Sequence, residues 1–145
     1  MPHLTQPISP DGPIVSLHLG ASLQRQTAIK AAGQPIPPIV KVNALIDTGA
    51  SGTVIEEKVL HQLGLTPTGA ISIFTPSTKG TPVTCMTYDV FLGLYHPTFS
   101  LLNGNFPVVA SDFSGQSIQA LIGRDLLKQC VLIYNGDNNT FTLGF

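Results

Sequence analysis

At 145 residues the chain is long enough for one hydrophobic core and short for two. Only 10% of its residues are charged and the net charge is −1, which argues against the basic face of a nucleic-acid binder. Hydrophobic residues make up 43%, yet no run of them approaches the about 20 that a membrane-spanning helix needs.

The first residues, "MPHLTQPISPDG", lack the basic and apolar regions of a signal peptide. Residues 1–12 are therefore read as an N-terminal extension ahead of one domain spanning 13–145, and the expectation is a soluble, cytoplasmic protein. "PIVSLHL", Pro13 to Leu19, alternates as a strand does. Gln24 to Pro38 is polar and then proline-rich, which predicts a hairpin loop or mobile linker. Ile39 to Asp47 reads as a second strand.

Thr53 and Glu56 have the spacing of a capping box, in which each side chain satisfies a free amide at a helix start. With Val59, Leu60 and Leu63 on one face and Gly64 as the stop, the spacing predicts a helix over "TVIEEKVLHQLG". Ile71 to Leu94 reads as a long hairpin, with strands at Ile71 to Thr75 and Val83 to Leu94 and a turn at Lys79-Gly80. Pro76 and Pro82 flank the tip and cannot donate to a ladder, so the tip should project as a mobile ribbon. Strands follow at Phe106 to Ser111 and Ile118 to Gly123, then a short helix from Arg124 to Cys130. Two last strands flank an Asn-Gly-Asp-Asn turn. Cys85 and Cys130 have no metal or redox spacing and read as small buried side chains. His3, His18, His61 and His96 are scattered and form no metal-ligand pattern.

Two stretches carry the chemistry. In "ALIDTGASGTVI" an apolar strand ends in Asp47, followed by Thr48, Gly49, Ala50 and Ser51. Asp-x-Gly is a common structural turn, because Asp accepts backbone hydrogen bonds and Gly takes positive φ. Beside a core strand, however, a carboxylate is costly unless it is partnered or protonated. The second stretch, "ALIGRDLL", also runs from an apolar strand through a glycine into a helix. Arg124 at that helix start opposes the macrodipole, whereas Asp125 suits it. An arginine so placed is either solvated or committed to a specific acceptor that its planar fork can grip.

Together, "LIDTGAS" and "ALIGRDLL" with a hairpin between them resemble the retropepsin-like aspartic proteases, the single-domain family of the retroviral enzymes and their relatives. The resemblance implies an all-β fold with one or two short helices, a small closed β-barrel that forms a homodimer. It implies an aspartic endopeptidase acting on polypeptide, with no metal and no cofactor, and no nucleic-acid or membrane partner. The single Asp-Thr-Gly is then explained, because two-fold symmetry sets Asp47 of one copy against Asp47 of the other. Two carboxylates in contact hold one proton between them, so that one activates water while the other protonates the substrate carbonyl.

By the same resemblance, Thr48 would lock the two active-site loops together and the Gly49 carbonyl would bind the peptide. Ala50 and Ser51 would line the cleft, and Leu121 and Ile122 would form its apolar wall. Lys79 and Gly80 would form the tip of a flap that closes over substrate, and Gly123 and Arg124 would support the loop. Two departures matter. The helix after Ile55 and the hairpin after Cys130 are longer than in the compact retroviral enzymes, which implies a dimer sheet built differently from the terminal strands. Position 51 also differs. Retroviral relatives commonly carry, at the position of Ser51, an aspartate that pairs with the arginine matching Arg124. Its absence leaves a backbone carbonyl as a candidate partner for Arg124. It also keeps open an alternative function, a catalytically weak module that dimerises or holds peptides.

Overall fold

With 14 Gly and 12 Pro, the chain is interrupted frequently, and the segments between them are rich in Val, Ile and Leu. That pattern favours short strands over long helices. The computed structural model describes residues 1–74 and 79–145. Among these, the chain order is β1 (His3–Pro7), β2 (Ile14–Ala21), α1 (Leu23–Ala31), β3 (Val40–Ile46), β4 (Val54–Glu56) and α2 (Glu57–Gln62). It continues with β5 (Gly69–Ile73), β6 (Val83–Leu94), β7 (Leu101–Ser111), β8 (Ala120–Ile122), α3 (Arg124–Leu127), β9 (Val131–Asn135) and β10 (Thr140–Gly144).

Six strands pair in the order β2-β3-β8-β4-β7-β6, and β6 returns to pair with β2, which closes a barrel. Strand β5 hangs on the outer edge of β6. A separate sheet, β1-β10-β9, joins the two ends of the chain, with His3 opposite Gly144. Residues 1–12, set apart above as an extension, thus contribute the strand that pairs with the last one.

Alternation decides what the barrel contains. Val15, Leu17 and Leu19 from β2, Ala44 and Ile46 from β3, and Val90, Leu92 and Leu94 from β6 all point inward and are buried. Phe141 and Leu143 of β10 are fully buried in the same core. The intervening residues of each strand face outward, as a period of two requires. Cys85 and Cys130 are unpaired and half-buried, and burial pushes the Cys130 thiol up from its ordinary value.

Two predicted elements come out differently. The stretch expected to be a loop or linker, Gln24 to Pro38, opens with α1. This helix buries none of its residues, so it shows no apolar face by which periodicity could reveal it. Its ends define it instead. The Ser22 Oγ accepts from the Arg25 amide at 3.1 Å, and Gly33 takes a φ of 69°. Gly33 N then donates to Lys30 O and Gln34 N to Ile29 O, which together satisfy the last carbonyls. Gly104 of β7 lies under the helix start, where a side chain would collide with Leu23.

The capping box does not form either. Val54 to Glu56 is strand β4, which adds to both β8 and β7, and the helix begins only at Glu57 without a side-chain cap. β-branched Val54 and Ile55 satisfy their backbone by long-range pairing, which overrides the local signal. The predicted stop at Gly64 is correct, with φ 66° and Leu65 N donating to Leu60 O. Of the long hairpin, β5 spans Gly69–Ile73 and Ile73 pairs with Val83. The predicted strand end at Thr75 and the flanking Pro76 lie outside the described residues.

Replacing Phe141 by Ala should remove about 3–5 kcal/mol of stability, because the ring fills the core where the two sheets meet. A lower urea midpoint at unchanged m-value would show this; an unchanged midpoint would mean that the terminal sheet is not part of the folding unit.

Candidate active site

The site grows from two parallel strands. β3 and β8 run side by side, with Ala44, Leu45 and Ile46 opposite Ala120, Leu121 and Ile122. The Asp47 amide donates to the Ile122 carbonyl at 2.9 Å, which continues the ladder one residue beyond β3. There the chain turns. Asp47 Oδ1 accepts from the Gly49 amide at 2.9 Å, and the Ala50 amide donates to the Asp47 carbonyl at 3.2 Å. A side chain at Gly49 would sit 3.2 Å from that carboxylate oxygen, so the turn closes tightly over Asp47. Asp47 is half-buried, whereas Thr48, Gly49 and Ser51 are exposed.

The turn is braced from the start of α3. The Arg124 amide donates to the Ala50 carbonyl at 2.9 Å, and its guanidinium Nη1 donates to the Thr48 carbonyl at 2.8 Å. Arg124 therefore grips a backbone carbonyl, the alternative that the serine at position 51 had left open. Beneath it lies a second clasp. Thr53 is wholly buried, and its hydroxyl donates to Asp125 Oδ1 at 2.7 Å while accepting from the Gly123 amide at 3.2 Å. The Thr53 amide donates to Asp125 Oδ2 at 3.0 Å, and the Leu126 amide donates to Oδ1 at 2.8 Å. Gly123 is required here by close approach. A Cβ at this position would stand 2.4 Å from the backbone carbonyl of Gly52.

Asp47, Thr48, Gly49, Ala50, Gly123 and Arg124 thus come together in one hydrogen-bonded unit. Lys79 and Gly80 stand apart, exposed at the turn between β5 and β6, with φ angles of 48° and 82°. Leu121 and Ile122 were both expected on a cleft wall. Leu121 is half-buried and faces outward, but Ile122 is fully buried in the barrel core. Adjacent residues of a strand point to opposite faces, so only one of the two can face the cleft.

Sequence reasoning missed Thr53, Asp125 and Gly52. Thr53 had been assigned to a helix cap and Asp125 to the helix dipole, both local roles. Their partnership joins positions 72 residues apart, and no spacing rule within either segment reveals it. It also missed an outward row formed by strand register. Ile14 lies opposite Leu45, Leu45 opposite Leu121, Leu121 opposite Val54 and Val54 opposite Val109. All five are half-buried, so a continuous apolar strip crosses the barrel beside Asp47.

The family model for aspartyl proteases matches residues 33–126, which contain both strands, the turn and the start of α3. The chain belongs to the aspartyl protease family. Its fold is similar to that of a retropepsin-like aspartic protease from Rickettsia conorii, with a TM-score of 0.61 and 14% identity. That match covers 99% of this chain and 91% of the other. The retroviral protease-like domain of Ddi1 from Leishmania major matches over 89% of this chain and 86% of its own, with a TM-score of 0.43 and 13% identity. No curated protein sequence matches this one.

Thr53→Val should cost about 1–3 kcal/mol, since it strands the buried Gly123 amide and takes one of its two donors from Asp125 Oδ1, whereas Thr53→Ser should retain most of the stability. Equal urea midpoints for Val and Ser variants would show that the clasp contributes nothing.

Proposed function

We propose that this aspartyl protease family member is a homodimeric endopeptidase in which Asp47 of each copy faces the other across a two-fold axis. The observation that carries this reading is the one-carboxylate site. A family that hydrolyses peptides through paired acids is represented here by a barrel with one Asp-Thr-Gly, braced from behind by Arg124 and Asp125. Two-fold symmetry supplies the second carboxylate from an identical surface.

One proton shared by the pair lets one Asp47 draw a proton from water while the other donates to the carbonyl oxygen. Water attacks the peptide carbon and the amine leaves, with no covalent intermediate. The Arg124 and Thr53 clasps hold the turn still, which matters because a misplaced acid forfeits much of its effect. Thr48 of the two copies would meet at the axis, the carbonyl of the exposed Gly49 would hydrogen-bond an extended peptide, and Ala50 would line the cleft. Ser51 would flank the same edge. Lys79 and Gly80 would close over the substrate as a flap and exclude water. The half-buried strip that includes Leu45, Leu121 and Val54 favours apolar side chains near the cut.

Cleavage of a mixed pool of unstructured peptides, followed by mass spectrometry from about pH 4 to 7.5, tests the reading. Asp47→Asn should lower the cleavage rate at least about a hundredfold while leaving the fold intact. Cuts made equally by both proteins would remove Asp47 from the mechanism. Peptide binding without turnover by the wild type would point to the non-cutting module. Sedimentation should show a dimer, and a strictly monomeric protein with full activity would end the shared-site mechanism.

A further inference from the structure

The acid at position 11 is the feature that the proposed reaction leaves unused. Beside Leu45 the surface carries a groove of about 480 Å³, within the range of ligand pockets. Leu45 and Ile118 form its apolar side, and Asp11, Gly115, Gln116 and Ser117 complete it. Asp11 is the one charged group in this lining.

Its carboxylate does not simply wave in solvent. Ser9 and Gly12 exchange backbone hydrogen bonds at 3.0 and 2.9 Å, and the Ser9 hydroxyl donates to the Gly12 carbonyl at 3.0 Å. The Asp11 amide donates to that same hydroxyl at 3.2 Å. Gly12 takes a φ of 117°, a conformation other residues rarely adopt, and a Cβ there would stand 2.8 Å from Leu45 Cδ1. The turn therefore rests directly on Leu45. On the other side of the groove, Ser117 Oγ donates to Asp11 Oδ2 at 2.8 Å, across 106 residues of sequence. Among the described residues, no lysine, arginine or histidine pairs with the Asp11 carboxylate.

Position relative to Asp47 gives the groove its meaning. Asp47 continues the β3 ladder one residue beyond its end, two residues from Leu45, so their side chains leave the same face roughly 7 Å from one another. Side chains of an extended peptide have the same repeat. A peptide aligned with β3 and with its reacting bond at Asp47 would lay a neighbouring side chain over Leu45 and toward Asp11.

We propose that Asp11 is a specificity-determining residue, and that this groove takes a lysine or arginine side chain next to the cut bond. The aliphatic stem would lie along Leu45 and Ile118, as long cationic side chains do on apolar surface. The charged head would reach Asp11, with its remaining donors available to the Gln116 amide oxygen. Ser117 would hold the carboxylate in place without neutralising it. This assignment rests on the endopeptidase reading for its geometry, and it departs from a purely apolar preference at this position.

The test uses extended peptides identical except for arginine, norleucine or glutamate at each position in turn. Wild-type kcat/KM should favour arginine over norleucine at one position adjoining the cut. Asp11→Asn should shrink that ratio by about tenfold, mainly through KM, the size expected for one charge-assisted hydrogen bond. Asp11→Lys should move the preference toward glutamate, and Ser117→Ala should weaken the arginine preference without reversing it. An arginine-to-norleucine ratio that Asp11→Asn leaves unchanged would overturn the inference.

Calorimetric binding of the same peptides to Asp47→Asn, with and without Asp11→Asn, separates this idea from the one beneath it. An Asp11-dependent preference for arginine in binding, with no turnover by wild type, supports the groove and defeats the endopeptidase. Turnover without such a preference, or no peptide binding at all, defeats the groove.

Discussion

The short bond from the Thr53 hydroxyl to Asp125 Oδ1 holds together everything that surrounds Asp47. Thr53 lies at the return of the Asp47 turn, and Asp125 lies at the entry to α3. Each belongs to a segment that would otherwise be an irregular connection between short strands. Asp125 receives the Thr53 hydroxyl and amide and the Leu126 amide, so its charge is spread over three donors. A carboxylate with that many donors is a firm anchor in a half-buried place. Once it is set, Gly52 and Gly123 are pressed together, and the Arg124 guanidinium reaches the Thr48 carbonyl.

This arrangement explains how the protein does without an acid at position 51. The arginine needs an acceptor, and a backbone carbonyl in the Asp47 turn serves. Such a contact ties the guanidinium to the conformation of the turn rather than to a particular side chain. The acidic anchor beside the turn is Asp125, which holds Thr53. The loop is therefore fastened twice, once on each side of Ser51, which remains exposed.

The barrel contributes a second constraint through its register. Strand closure sets one residue in two toward the core, and the other half of each strand becomes the outer wall. Because β3 and β8 are parallel neighbours, Leu45 and Leu121 face the same way as Asp47, while Ala44, Ile46, Ala120 and Ile122 fill the interior. The same register brings Val54 and Val109 into line. A surface with so few charges then has a defined apolar direction. The carboxylate of Asp11 stands beside it, held by a turn and by Ser117.

The sequence by itself determined the elements whose cause is local. Short apolar runs between Gly and Pro marked most of the strands, Gly64 stopped α2, and the Asn-Gly-Asp-Asn turn joined the last two strands. The Asp-Thr-Gly turn was legible because its hydrogen bonds are made within a few residues, and the two motifs together were enough to indicate the family. Tertiary structure alone decided what depends on distant partners. It turned Val54 to Glu56 into a strand by offering β7 and β8 as neighbours, and it gave Thr53 to Asp125 instead of to a helix end. It sent Ile122 inward, since a pair of adjacent strand residues cannot share a face. It also formed α1 from a stretch whose polar surface conceals any helical period, with Ser22 and Gly33 defining its ends. Local preferences are worth fractions of a kcal/mol per residue, and a long-range ladder or a buried charged hydrogen bond outweighs them wherever the fold supplies one.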